Sequence, residues 1–203
     1  MVVASRRAEY SEATRRAVLD SAASLFLEKG YAATALDEVA AGARVTKGAV
    51  YHHFSSKRAL YEALIEEAEQ QAVAGLLEAA ATHESLWDGA LAALDAFLEF
   101  CVDPTYGRLC FQEGPAVMGF DDWWRQGEKY YVALTRSLLE GLRSEGLVET
   151  DDPEVLAQLL FGSVTAGALL LARSPEPRAL LPRVRSELRH FVERLRTSSP
   201  QLH

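Results

Sequence analysis

Apolar residues recur three and four positions apart through most of the chain, the spacing that puts them on one face of a helix. Leu19, Ala22, Ala23 and Phe26 predict a first helix over about 11–29, with Ser11 and Glu12 at its start and Gly30 at its end. Leu36, Val39 and Ala40 predict a second, short helix that starts after Thr34, whose hydroxyl is placed to cap a free backbone N–H. Gly42 weakens that helix. After a break at Ala43-Arg44-Val45, Thr46 is an N-cap candidate for a third helix, carrying Ala49 and Val50 toward Phe54. Small Ala40 lets two helices cross closely, and Val39, Val45, Val50 and Phe54 supply the faces such a crossing buries.

The same reading continues to the other end. One long helix is expected over 57–81, with Leu60, Leu64, Val73, Leu76 and Leu77 on it, and another over 85–101, closed by Asp103-Pro104. Gly107, Gly114, Pro115 and Gly119 predict short, broken helices over 104–120. A helix capped by Asp121 or Asp122 follows to Glu145, then one from Asp152-Pro153 to Arg173, and a last one over 178–196. The expected fold is all-α. An amino-terminal three-helix helix-turn-helix domain, 1–56, is joined by a long helix to a larger helical ligand-binding and dimerisation domain, 57–203. The long helix runs through both, so the boundary is not a free linker and the helix is a natural lever.

With Val39, Val45, Val50 and Phe54 buried, Lys47, Gly48, Tyr51 and His52 point outward, and this set suits a groove in double-stranded DNA. Glycine within a helix costs roughly 1 kcal/mol against alanine, so Gly48 serves close backbone approach. Lys47 reaches a guanine edge or a phosphate, and Tyr51 and His52 donate to phosphate oxygens. Ser56-Lys57 opens the next helix, where the positive end of the dipole and a lysine form a phosphate site.

These residues carry a resemblance. Tyr31-Ala32-Ala33-Thr34, Val39-Ala40, Ala43-Arg44-Val45-Thr46, Gly48-Ala49-Val50-Tyr51 and His53-Phe54-Ser55-Ser56-Lys57 resemble the amino-terminal pattern of the TetR family of bacterial transcriptional repressors. The likeness covers about residues 10–60; beyond them only helical character agrees. It implies a homodimer on a palindromic operator, contacts from Thr34, Arg44, Thr46, Lys47, Gly48, Tyr51, His52 and Lys57, and a packing role for His53. Arg44 departs from the family's usual glycine. If the turn needs a positive φ there, arginine costs something and adds a cation near the phosphates.

Charge sharpens this picture. The net charge of −8 argues against nucleic acid, but residues 1–60 hold nine Lys/Arg against six Asp/Glu, while 61–203 hold twelve against twenty-three. A basic head on an acidic body is what a steered DNA binder needs. Arg6 and Arg7 lie in a segment, 1–9, expected to be a flexible basic arm, and the end from Thr197 is expected to fray. Cys101 and Cys110 are too few for a disulfide framework, and Arg6-Arg7 is followed by charge rather than an apolar leader, so a cytoplasmic protein is expected. A redox bridge between the two cysteines is the alternative to their being small buried apolar residues.

Residues 155–172 contain no charge. Gln158, Ser163, Thr165, Gly162 and Gly167 make a poor membrane span, so the helix is covered by its own domain on one side and by a second subunit on the other. Leu159, Gly162, Ala166 and Leu170, with Leu188, Phe191 and Leu195 of the last helix, are the expected residues of a four-helix dimer interface. A cavity for a small-molecule effector of unidentified structure is expected among Phe97, Phe100, Phe111, Met118, Trp123, Trp124, Tyr130, Tyr131, Phe161 and Thr165, beside the broken helices. Glu113 and Asp121 lie on a solvated face. Gly42-x-x-x-Thr46-Lys47-Gly48 has the wrong order for a phosphate-binding loop, and no nucleophile elbow, His-Glu-x-x-His or paired-cysteine zinc spacing occurs, so no enzyme, metal or cofactor is indicated. The competing reading is an all-α protein-interaction module whose helix-turn-helix is purely structural.

Overall fold

The computed structural model describes residues 6–197, with side chains from residue 8 onward. Among these the chain is helical: α1 Arg6–Ala33, α2 Leu36–Gly42, α3 Lys47–His53, α4 Lys57–Ala81, α5 Leu86–Val102, α6 Pro104–Tyr106, a π-helical segment Gly107–Glu113, α7 Gly114–Met118, α8 Phe120–Ser144, α9 Pro153–Arg173 and α10 Pro177–Glu193. A single antiparallel bridge, Val148 to Arg196, ties the α8–α9 connection to the chain after α10.

α1 starts earlier than its apolar pattern suggests, because the backbone is already helical at Arg6; the expected basic arm therefore falls partly in α1 and, over residues 1–5, outside the described residues. The fraying expected at the other end likewise falls, from residue 198, outside the described residues. At the far end of α1, Gly30 breaks the helical backbone at φ 85°, as its composition anticipates, but one more turn follows to Ala33. Val18, Leu19, Ala22 and Phe26 meet Val39, Ala40, Val50, Phe54, Leu60 and Tyr61 in one buried cluster. α1 and α2 touch at Gly42 as well as at Ala40. A Cβ on Gly42 would lie 2.3 Å from Ser21 Oγ, so this glycine sets the closeness of the crossing rather than merely weakening α2.

The caps are local and mostly as expected. Thr46 accepts from Ala49 N–H at 3.2 Å, Ser56 from Ala59 N–H at 3.0 Å and Ser85 from Asp88 N–H at 3.3 Å. Asp152 accepts from Glu154 and Val155 N–H at 3.1 and 3.2 Å. Each such bond is worth about 0.5–2 kcal/mol. Thr34 is the exception. It is buried, and its hydroxyl donates back to Gly30 O at 2.9 Å, so α2 starts instead from Ala35, whose N–H is held by the Glu38 carboxylate at 2.9 Å. α8 likewise takes no cap from Asp121 or Asp122; it follows Gly119, which has φ 82°.

The core is continuous across the junction of the two parts: one cluster of buried residues runs from Val18 on α1 through Tyr61 and Leu76 on α4 to Leu171 on α9 and Leu188 on α10. α9 is long and apolar enough to cross a membrane by length and composition, but Ala157, Leu160, Phe161, Thr165, Ala168, Leu171 and Ala172 are buried within the fold.

Candidate DNA-reading surface and effector cavity

α3 buries Val50 and presents Lys47, Gly48, Tyr51 and His52 to solvent, with Arg44 and Thr46 exposed in the turn before it and His53 half-buried behind. Arg44 has φ 57°, so the turn does take the left-handed conformation there. That conformation costs a non-glycine residue about 1–2 kcal/mol. Lys47 Nζ is held by Asp37 at 3.0 Å, both side chains being more than half exposed. A Cβ on Gly48 would meet nothing nearer than Thr46 Oγ1 at 3.8 Å. Nothing inside the molecule therefore requires a glycine there.

Two residues expected at the DNA are engaged elsewhere. Thr34 is buried, with its hydroxyl spent inside α1. Lys57 donates from Nζ to Tyr31 O and Thr34 O at 2.8 Å each and to Ala32 O at 3.4 Å, and lies 4.3 Å from the centre of the Tyr31 ring. The carbonyls at the end of α1 lack helical partners and carry the negative end of its dipole, so a cation is drawn to them. Lys57 pins α1 to α4; its ammonium is not held out for a phosphate.

The same end of α1 is gripped from the other part of the molecule. Glu113 accepts from Tyr31 N–H at 2.8 Å and from Arg108 Nε at 2.9 Å, and Arg108 Nη1 donates to Leu27 O at 2.5 Å. Tyr61 on α4 donates to Leu109 O at 2.7 Å. Glu113 is thus a structural tether and not a solvated charge. The sequence signal for it is slight: an Arg and a Glu five apart in a segment too rich in glycine to read as a helix.

Behind this tether lies a cavity of about 700 Å³, walled by α4, α5, α8 and α9. Of the residues expected to line it, Phe97, Phe111, Trp123, Trp124, Tyr131, Phe161 and Thr165 do. Trp124 and Phe161 meet edge-on with centroids 4.8 Å apart, and Phe97 meets Tyr131 at 5.3 Å. Phe100, Met118 and Tyr130 do not line it. Phe100 packs on Tyr106 and crowds Gly75, Met118 is buried near Arg58 and Asp122, and Tyr130 donates to Glu66 at 3.2 Å on the outer face of α8. The cavity also lies along the long helices rather than beside the broken segment, which contributes Phe111 alone.

Glu69, on α4, is the residue that sequence reading missed. It is 5% exposed, lines the cavity, and its Oε2 is hydrogen-bonded to the Tyr106 hydroxyl at 2.8 Å and to the Tyr131 hydroxyl in a very short bond. Burial, partly offset by these hydrogen bonds, holds its carboxyl above the ordinary glutamate range. Only its interruption of an apolar stripe between Ile65 and Ala72 could have marked it. Cys101 and Cys110 are buried free thiols, and burial pushes both well up, so neither is a ready thiolate.

On the outside, Val155, Leu159 and Leu170 of α9 are exposed by half or more, with Phe191 of α10 at 44%. Leu159, Gly162, Ala166 and Leu170 share this face. Leu188 and Leu195 do not join it: Leu188 packs on Gly167, where an added Cβ would lie 2.9 Å from it, and Leu195 lines the cavity.

Residues 18–64 match the family described as bacterial regulatory proteins, tetR family. Residues 87–195 match the tetracyclin repressor-like, C-terminal domain. The chain is 29% identical over 158 residues to the transposon Tn10 TetC protein of Escherichia coli, across 76% of this chain and 78% of that one. It is 32% identical over 181 residues to the A-factor receptor protein of Streptomyces griseus, across 88% of this chain and 62% of the receptor. Among solved structures, a TetR-family transcriptional regulator from Pectobacterium atrosepticum is similar with a TM-score of 0.82 at 30% identity, across 94% of this chain and 97% of that one. An exposed recognition helix, a long helix shared by two regions and family matches over both of them lead to one conclusion: the chain belongs to the TetR family of DNA-binding transcriptional regulators.

Proposed function

We propose that the protein is a cytoplasmic homodimeric repressor that binds a palindromic operator through residues 1–56 and leaves it when a small molecule fills the cavity in residues 57–203. The observation that carries the reading is Gly48, a helical glycine for which the chain itself has no steric use. Around it Arg44, Thr46, Lys47, Tyr51 and His52 are exposed and available to bases and phosphates. The exposed face of α9, with Leu159, Gly162, Ala166, Leu170 and neighbouring Phe191, supports pairing of two chains in a four-helix interface. Two recognition helices then stand about 34–36 Å apart, or a multiple, as one face of a duplex requires.

Release follows from the tether. A ligand that moves α4 or the π-helical segment acts on Tyr61, Glu113 and Arg108, and through them on the end of α1 that Lys57 pins to α4. A coupling of about 1–3 kcal/mol changes operator affinity some 5- to 150-fold. That one relative carries the name of a receptor supports an effector-bound state.

The test is selection of bound duplexes from random DNA, followed by a screen for compounds that release them. Palindromic sequences whose half-sites lie a helical turn or a multiple apart, and a compound that lowers affinity, are the expected result. Recovery of no preferred sequence, or binding that ignores salt, would leave a protein-interaction module as the better account.

A further inference from the structure

The cavity's charged equipment is one-sided. Its walls include no lysine or arginine, and its one histidine, His83, and its carboxylates other than Glu69, those of Glu84 and Glu145, sit on exposed residues at the rim. Inside, Glu69 from α4 forms a closed triangle with two phenols. Tyr106 lies 2.8 Å from Glu69 Oε2 and 2.9 Å from the Tyr131 hydroxyl, and Tyr131 closes the third side on the same Oε2.

Three hydrogen bonds need three protons, and each phenol brings one. Burial raises both tyrosines well above their ordinary value, so neither loses its proton, and the third has one source, the carboxyl itself. A protonated carboxyl, the form that burial favours for Glu69, supplies it and closes the ring. Its proton on Oε2 goes to one phenol, that phenol's proton to the other, and the second phenol's proton returns to Oε2. Oε1 takes no donor in the ring and is left as a carbonyl-type acceptor, and the Cys110 thiol, a weak donor, bonds to the same carboxyl.

We propose that the effector is an uncharged, mainly aromatic or alicyclic molecule that donates one hydrogen bond, from a hydroxyl or an N–H, to the Glu69 carboxyl. This rests on the reading of the cavity as the effector site. An anion finds no cation to pair with inside the walls, and desolvating it there is costly. A cation would have to ionise Glu69, which removes the ring's third proton and buries a charge pair. A neutral donor uses the free acceptor and leaves the ring intact, while Trp123, Trp124, Phe97 and Phe161 take the apolar body.

Four naphthalene probes that differ only in the head group test this by titration calorimetry on the full chain: 2-naphthol, 2-methoxynaphthalene, 2-naphthoate and 2-naphthylmethylammonium. 2-Naphthol should bind tightest, roughly tenfold better than the methoxy compound, which lacks the donor. Glu69→Gln keeps a neutral carbonyl acceptor and should hold 2-naphthol within about threefold. Glu69→Leu should erase the preference for naphthol over methoxynaphthalene; if that variant does not fold, the ranking on the native chain and on Glu69→Gln decides. Tightest binding of the ammonium probe, lost in Glu69→Gln, or tightest binding of naphthoate, would overturn this inference while leaving the cavity as the effector site. Binding of none of the four would count against both.

Discussion

Gly48 on α3 and Gly127 on α8 are both glycines inside helices, and their surroundings are opposite. A Cβ on Gly48 has open space, whereas one on Gly127 would lie 2.8 Å from the Phe161 ring. The contrast extends to the regions they stand in. The proposed reading face is exposed and, apart from the Thr46 cap and the Lys47–Asp37 pair, makes few bonds within its own chain, so its residues are free to answer to an external partner. The cavity wall consists of residues that also hold the core together, as Phe111 and Trp123 do, so identity there answers to folding first and ligand second. A surface of the first kind can be altered without unfolding the protein; a wall of the second kind rarely can.

The largest effect should come from neither region but from the face of α9 proposed to pair two chains and so to set the spacing of their α3 helices. Arginine at both Leu159 and Leu170, which are about 60% exposed in the single chain, leaves the monomer's core untouched but puts charge into the proposed four-helix interface. Sedimentation should show monomers, and operator affinity should fall by about a hundredfold or more, since two half-sites no longer bind as one unit. A double variant that remains dimeric would assign the interface to another face.

Two lysines sharpen the contrast next. Lys57→Ala removes a cation from three carbonyls and should cost about 1–3 kcal/mol of stability, seen as a lower melting temperature, with the salt dependence of DNA binding unchanged. Lys47→Ala should do the reverse. Its partner Asp37 is a solvent-exposed carboxylate, so melting should not change, while operator affinity falls roughly ten- to hundredfold with relaxed sequence discrimination. A salt slope flattened by about one unit in Lys57→Ala would return that residue to the phosphates.

That pair also marks how far sequence reading reached. The candidate reading head was legible because its residues fall within one short stretch at helical spacing, and the glycine usual at the Arg44 position in the family it resembles raised the positive φ that the turn has, 57°. Lys57 was assigned to a phosphate because it opens a helix at the positive end of its dipole, whereas its ammonium answers to the carbonyls at and just past the end of α1, 23 to 26 positions back. The cavity was legible as a class of residues, since aromatic side chains on α5 and α8 must meet. Glu69 was not, because its meaning depends on Tyr106 and Tyr131, which are 37 and 62 positions away. Leu188 and Leu195 failed as dimer residues for the same reason: periodicity marks an apolar stripe but not which neighbour covers it.

A smaller effect is expected at Gly48. Alanine there should raise helix stability by roughly 0.5–1 kcal/mol, because nothing in the chain resists the methyl group. It should at the same time weaken operator binding, since the added carbon stands where the duplex approaches. Gly42→Ala is the control, and should destabilise because its Cβ would meet Ser21 Oγ at 2.3 Å. Stability and affinity that both rise in Gly48→Ala would mean that DNA does not come close to this turn of α3.

The smallest effect concerns the acid in the cavity wall, and its sign is fixed by linkage. Burial raises the folded value of Glu69 above the unfolded one of about 4.3, so the native state binds this proton more tightly than the unfolded state does. Its contribution to stability is therefore fully present below about pH 4.3 and is lost as pH rises through the folded value. Glu38, Glu66 and Asp122, each held below the ordinary range by cationic partners, run the other way and shape the overall curve. The informative quantity is thus the difference between Glu69→Gln and the native chain, in which their contributions cancel. The glutamine variant should gain relative stability as pH rises from about 4.3 and stop gaining once pH passes the folded value, because an amide has no proton to lose. A difference that stays flat across that range would mean that the carboxyl titrates alike in both states, and the three-proton ring would have to be given up.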